Sequence, residues 1–324
     1  MNAPQNPQSW QYRDLNKKAP SLSVLSDALI ELVETGHPIA AGTADLQHSN
    51  GLVAFAERYP DRFVQFGISE QNMVSAAAGM ATTGLIPYVA TFASFIGLLA
   101  CEQIRMDVAY CAQPVRLIGH HTGISMGFYG TSHHATEDIS TMRAIADLTV
   151  ISPSDGQQYK QLLLESAVYK EPIYFRTHRG HDPIVYDETE KFQIGKAKVH
   201  DIGKDLTIIA CGMPVHGAKA AMQALNAKGY SVGLIDMHTI KPLDVDAVLE
   251  AAKASKTVLT VEEHNILGGL GSAVAEVMAE NPGSARLVRH GIMDEYSLIA
   301  PPTHLYRHYK LDAAGIEDVA SRLI

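Results

Sequence analysis

Along this chain short apolar runs alternate with longer segments in which apolar positions recur every three or four residues. From about residue 20, PIAAG, RFVQFG, IPYVAT, VRLIGHH, LTVISP and PIYFR each read as a short apolar strand, followed by helix-like segments such as GQQYKQLLLESAVY. Strands that are apolar on both faces and separated by amphipathic helices predict a parallel sheet covered on both sides. These six units form one doubly wound domain ending near residue 185.

From 182 to 205 the stretch DPIVYDETEKFQIGKAKVHDIGKD mixes charge, proline and glycine without a sustained period, and the alternation then restarts at LTIIACG. Strands at YSVGLIDM, KTVLTVEE and ARLVRHG, with helices at PVHGAKAAMQALNAKG, VDAVLEAAKAS and GLGSAVAEVMAEN, predict a second, smaller α/β domain. The expected fold class is α/β: two three-layer α/β/α domains with mainly parallel sheets, spanning 15–185 and 201–324, joined by a linker over 186–200. A chain of 324 residues with 46% hydrophobic and 19% charged residues is long enough for two such cores.

Charge and cysteine usage narrow the function classes. A net charge of −9, without a long Lys/Arg run, argues against nucleic-acid binding. The polar opening MNAPQNPQSWQYRDLNKK has neither a signal-peptide core nor transit-peptide amphipathicity, and no run of about 18 apolar residues predicts a membrane span. Cys101, Cys111 and Cys211 lack CxxC spacing, so the expectation is reduced, buried structural thiols in a cytoplasmic protein, with no zinc site.

The chemistry-bearing residues fall at strand ends. Ser69 reads as the N-cap of the helix SEQNMVSAAAGMATTG, which puts Glu70 in its first turn, after the strand RFVQFG. An acid there complements the helix dipole, but in parallel α/β sheets the same edge is where ligands sit. Phe92 and Phe95 follow the next strand, three residues apart, and can share a face. The stretch GHHTGISMGFYGTSHHATEDISTMR brings His120, His121, His133 and His134 into one loop. Without HExxH spacing or a Cys partner they read as groups that hydrogen-bond an oxygen-rich substrate or shuttle a proton, rather than as a metal site. FRTHRGHD offers Arg176 and Arg179, either of which could clamp an anion. EEHNILGGLGSAVAE fails as a dinucleotide fingerprint because Val274 stands where Gly or Ala is required after Gly269 and Gly271, so those glycines predict close packing at a helix start.

Together, ISEQNMVSAAAGMA, TFASF, EQIRMD, GISMG, SHHATEDISTMR, SPSDG, FRTHR, IGKAK, TIKPLD and EEHNILGGLGSAV occur in an order that resembles the transketolases and their deoxyxylulose-phosphate synthase relatives. The resemblance runs from about residue 20 to near the end and covers only the family's C-terminal half, the pyrimidine-binding and C-terminal domains of a split transketolase. It implies ketol transfer with thiamine diphosphate and Mg2+ or Ca2+. The family's GDG sequence, which holds metal and diphosphate, is absent here, so the resemblance implies a second, N-terminal transketolase polypeptide that carries it. The implied assembly is a heterotetramer of two plus two, with homodimer contacts.

By the same resemblance, Glu70 is the acid that hydrogen-bonds the aminopyrimidine ring and exchanges a proton with it, and Phe92 and Phe95 enclose that ring. His121 and His133 line the substrate channel, Ser49 and Arg179 belong to the group that holds a substrate phosphate, and Asp45 faces donor-side atoms. Two departures loosen the substrate. Phe128 and Tyr129 precede GTSH where sugar-phosphate transketolases usually have Glu-Asp, and an expected arginine is replaced near Ser21. A small sugar or sugar-phosphate is implied, with an unphosphorylated or more apolar carbonyl compound left open. The competing readings are the beta chain of a 2-oxoacid dehydrogenase, transferring acyl groups to lipoamide, and a non-catalytic regulatory subunit.

Overall fold

Two parallel sheets, each with one antiparallel strand at an edge, organise the chain. The computed structural model describes residues 21–324 except 180, 181, 282 and 284; the beginning of the expected first domain, at 15–20, lies outside the described residues, as does the side chain of Ser21. In chain order the first part runs α1 (Ser21–Glu34), β1 (Ile39–Thr43), α2 (Val53–Arg58), β2 (Phe63–Gln65), α3 (Glu70–Ala81), β3 (Ile86–Phe92), α4 (Ala93–Leu98) and α5 (Cys101–Gln103). A π-helical stretch (Ile104–Tyr110) continues α5, and then come β4 (Arg116–His120), α6 (Asp138–Ala144), β5 (Thr149–Ile151), α7 (Gly156–Ser166) and β6 (Ile173–Arg176). The second part runs β7 (Lys198–Asp201), β8 (Leu206–Ala210), α8 (Pro214–Ala227), β9 (Val232–Asp236), β10 (Thr239–Lys241) and α9 (Val245–Ala254). It ends with β11 (Thr257–Asn265), α10 (Leu270–Glu280), β12 (Arg286–Ile292), α11 (Pro302–His308) and α12 (Ala313–Ser321).

The first sheet has the order β10-β5-β6-β4-β3-β1-β2 and the second β12-β11-β8-β9-β7. Strands β1, β4, β5, β6, β8 and β9 are buried at every position. That is the reason they appear in the sequence as unbroken apolar runs rather than as an alternation. The chain leaves β1 for β2 on one side and returns to β3 on the other, so the strand order reverses at β1. A crevice opens beyond the carboxyl ends of strands at such a reversal.

Two strands depart from the sequence reading. Lys198–Asp201, in the stretch read as linker, pairs antiparallel with β9, and Thr239–Lys241 leaves the second part of the chain to pair antiparallel with β5 of the first sheet. Both are short, and β7 alternates half-buried with exposed positions, so neither carries an apolar run.

One face of the first sheet packs on α1 and α7 through Leu25, Leu29, Leu162 and Leu163. The opposite face shares a continuous apolar cluster with the second sheet, from Met73, Val74 and Ile139 to Ile209, Ile235 and Leu270. Burying each such side chain is worth about 1.5–3 kcal/mol, so the seam between the sheets is a core and not a hinge. The far face of the second sheet packs on α8 and α12 through Val215, Ala218, Ile316 and Ala320. No helix among the described residues is long and apolar enough to cross a membrane. Of the cysteines, only Cys211 is buried; Cys101 is half-buried and Cys111 exposed, which corrects the expectation of three buried thiols.

Candidate active site

The parallel strands of the first sheet deliver their polar residues to one edge. Glu70 opens α3 just beyond β2 and is 7% exposed. Ser69 occupies the N-cap position, yet its hydroxyl donates to the carbonyl of Phe66 instead of capping the helix. The Glu70 carboxylate faces Thr91, whose Oγ1 lies 3.5 Å from Oε1. Because Thr91 is the residue before Phe92, this contact puts the acid beside the end of β3.

Phe92 ends β3 and Phe95 lies in the first turn of α4, with ring centroids 5.7 Å apart. Two imidazoles complete an aromatic box: His121 is 4.5 Å from Phe92, and His133 is 5.3 Å from Phe95 and 6.0 Å from Phe92. Tyr129 adds a ring 5.1 Å from His133, at the solvent side, where it and Phe128 are 49% and 45% exposed. His121 has φ +59, a left-handed conformation that non-glycine residues rarely adopt and that turns the chain sharply out of β4.

The loop that carries His133 is fixed at several points. Gly123 and Ala135 exchange backbone hydrogen bonds of 3.1 and 2.9 Å, and Glu263 of β11 accepts the N–H of Ile124 at 2.7 Å. A side chain at Gly123 would collide with Glu263. His134 points the other way: its Nε2 donates to the carbonyl of Gly127, so Nδ1 is the acceptor for the Ser297 hydroxyl. It holds the loop to the second part of the chain and does not join the box.

Burial sets the protonation of the box histidines. Desolvation pushes His121 well below the ordinary imidazole value, with His120, Arg179 and His133 adding to the shift, and lowers His133 as well. Both are therefore neutral near pH 7, able to donate from one nitrogen and accept at the other.

The two arginines separate. Arg176 is 1% exposed, pairs with Asp138 at 3.0 Å and donates to the carbonyls of Ala135 and Glu263. It is a structural cross-link and is not available to clamp a ligand. Arg179 is half-buried beyond β6 and near enough to His121 to act on it electrostatically. Asp45 is exposed on the loop after β1, with φ +60 and its N–H bonded to Gln65 Oε1 at 2.6 Å; Ser49 is half-buried on the same loop. The structure thus gathers Phe92, Phe95, His121 and His133 into one aromatic cluster with Arg179 acting on His121, puts Glu70 against Thr91, the residue before Phe92, and places Asp45 and Ser49 on the loop after β1. Thr91 was not legible in the sequence, since a threonine in an apolar strand carries no signal of its own.

A buried carboxylate beside flat rings suits a planar, weakly basic heteroaromatic ring, which stacks on the aromatics and exchanges a hydrogen bond with the acid. Among the described residues no group of three or more His, Cys, Asp or Glu could hold a metal ion. The glycine-rich turn after β11 serves the protein itself: Glu262 accepts the N–H groups of Leu270 and Gly271 at 2.7 and 2.8 Å, and a side chain at Gly269 would strike that carboxylate.

Comparison with known proteins supplies the context for this geometry. Residues 18–183 match the family described as "Transketolase, pyrimidine binding domain", and 195–316 match "Transketolase, C-terminal domain". A "Putative transketolase C-terminal section" of Methanocaldococcus jannaschii is 40% identical over 92% of this chain and 93% of its own length. One of the subunits of an apulose-4-phosphate transketolase from Phocaeicola vulgatus is 37% identical over 90% of this chain and 93% of its own length. A solved "Split gene transketolase, inactive beta4 tetramer" superposes with a TM-score of 0.87 at 33% identity, covering 94% of this chain and 98% of that one.

Proposed function

This chain belongs to the transketolase family, and on that premise we propose that it is the C-terminal subunit of a thiamine-diphosphate-dependent split transketolase. In this reading it takes part in moving a two-carbon ketol unit from a ketose, or related 2-oxo donor, to an aldehyde acceptor. The observation that carries the reading is the buried Glu70 carboxylate against Thr91, next in the chain to Phe92, together with the Phe92–Phe95 pair and the two neutral imidazoles packed on that pair.

When bound, thiamine diphosphate supplies the carbon nucleophile that accepts the transferred unit. Glu70 holds and returns a proton at the pyrimidine ring nitrogen, a task that needs a carboxyl within hydrogen-bond reach. Phe92 and Phe95 wall the ring and exclude water. His121 and His133 hydrogen-bond the substrate's hydroxyl and reacting oxygens and move a proton there. Arg179 and Ser49 take an anionic substituent, and Asp45 meets donor-side hydroxyls.

The diphosphate and its Mg2+ or Ca2+ are assigned to a GDG-bearing partner, since that sequence does not occur in this chain. The Phocaeicola relative is itself named as one component of a multi-chain transketolase, which supports a two-subunit enzyme, here a cytoplasmic heterotetramer of two plus two. The half-exposed Phe128 and Tyr129 at the lip favour a substrate with an apolar or unphosphorylated face at that end.

Calorimetric titration of thiamine diphosphate and Mg2+ into this chain alone, and into its mixture with the GDG-bearing partner, tests the reading. Tight binding in the mixture only, followed by ketol transfer from a ketose donor, is the expected result. Lipoamide-dependent acyl transfer, or no binding in the mixture, would overturn it.

A further inference from the structure

His120 and His121 close β4 side by side, with ring centroids 5.1 Å apart. His120 is fully buried, and neither of its ring nitrogens has a hydrogen-bond partner. His121 likewise buries Nδ1 without a partner. An unpaired buried polar atom costs about 1–3 kcal/mol, so three of them on two neighbouring rings need an explanation. A neutral imidazole wants one donor and one acceptor, and a buried water offers both.

The surroundings of His120 are ordered. His178, beyond β6, accepts the N–H of Met213 at Nε2, 2.9 Å away, so its proton sits on Nδ1, 3.3 Å from Asp182. His178 and Asp182 both act electrostatically on His120, while His133 and Arg179 act on His121. Burial holds both imidazoles neutral, His120 down to about 4. What remains variable is therefore the tautomer and not the charge.

We propose that His120 is a positioning residue that, through a buried water shared with Nδ1 of His121, fixes the tautomer of His121 and so decides whether Nε2 offers the substrate a proton or a lone pair. The proposal rests on His121 lining the substrate pocket, as argued above. A lone imidazole exchanging freely between tautomers would present the correct atom only part of the time; coupling to His120 makes its two tautomers unequal in energy and favours one of them.

Long-range 1H–15N correlation spectra of the 15N-histidine-labelled full chain read the tautomers directly, with His121 identified by its loss in His121→Gln. The expected wild-type result is a single His121 tautomer. His120→Phe is expected to give a mixture and, in the assembled two-subunit enzyme, to lower kcat by about 10- to 30-fold with KM within about threefold. His120→Asn, which keeps a donor and an acceptor, is expected to restore one tautomer and most of kcat. A wild-type His121 that already populates both tautomers overturns the proposal, whatever the variants do. So does a His120→Phe chain with an unchanged tautomer and unchanged kcat. Should His120→Phe fail to fold, the wild-type spectrum and His120→Asn decide. Full activity in His121→Ala would instead remove His121 from the pocket while leaving any spectroscopic coupling intact, which separates the two failures.

Discussion

The two sheets share an architecture and differ at their carboxyl edges. In the second sheet the strand-end acids are used internally: Glu262 accepts two N–H groups at the start of α10, and Glu263 accepts from Ile124 and Tyr306. In the first sheet the strand ends carry Glu70, held by one long contact to Thr91, and His120 and His121 with three unpartnered buried nitrogens. The same fold thus produces a closed edge and an open one. What distinguishes the two edges is how firmly their acids are held: Glu262, Glu263 and Asp236 each accept two or more hydrogen bonds of 3.0 Å or less, although Glu263 Oε2 and Asp236 Oδ1 have no partner, whereas Glu70 has one contact of 3.5 Å.

The sharpest way to break this contrast is Glu70→Ala. We expect at least about a 100-fold loss of kcat in the two-subunit enzyme, the scale of a lost general acid–base group, with the melting temperature of the chain little changed. Unaltered turnover would support the non-catalytic reading. Arg176→Met tests the opposite case, because it leaves the buried Asp138 carboxylate with the Tyr174 hydroxyl but without its charge partner. The expected cost is about 3–5 kcal/mol in denaturant unfolding, whereas Arg179→Met should cost less stability than that and raise KM for a phosphorylated donor.

Acid should destabilise the fold in a defined window. Burial lowers His120 and His238 to about 4, so between the unfolded value of about 6.5 and pH 4 the unfolded chain binds more protons than the folded one. Stability therefore falls as pH drops through that window, by up to about 3 kcal/mol per histidine. Asp236, raised to about 6 by burial, works against this, since its stabilisation is present at low pH and is lost as pH rises through about 6. Urea midpoints measured from pH 7 to 4 should fall, with a shallower slope in His120→Phe and a steeper one in Asp236→Asn. The smallest effect is expected for Glu262→Gln, which weakens the anchoring of α10 by about 1–2 kcal/mol and leaves turnover intact; a lost activity there would make the second edge more than scaffold.

Much of the open edge was legible because it lies at the ends of apolar strands, where residues of another kind stand out: Glu70 after RFVQFG, His121 ending VRLIGHH, Phe92 just after IPYVAT. What the sequence hid depends on long-range partners. Arg176 and Arg179 are alike as residues; it is the Asp138 carboxylate, 38 positions away, and the carbonyls of Ala135 and Glu263 that make Arg176 a cross-link. Ser69 has the type and position of a cap, yet the carbonyl of Phe66 takes its proton. The glycines after β11 read correctly as a packing feature, though the Glu262 carboxylate that requires them could not be foreseen from spacing. Strands β7 and β10 are too short to impose a period.

Strand β10 constrains how this polypeptide can be divided. Its Thr239 and Lys241 pair with Ile151 and Val150 and cover the outer side of β5, an apolar strand with every position buried. A fragment cut anywhere between 186 and 200 would bare that strand's backbone groups, a template for sheet-to-sheet aggregation. The two parts are therefore expected to be inherited, expressed and unfolded together.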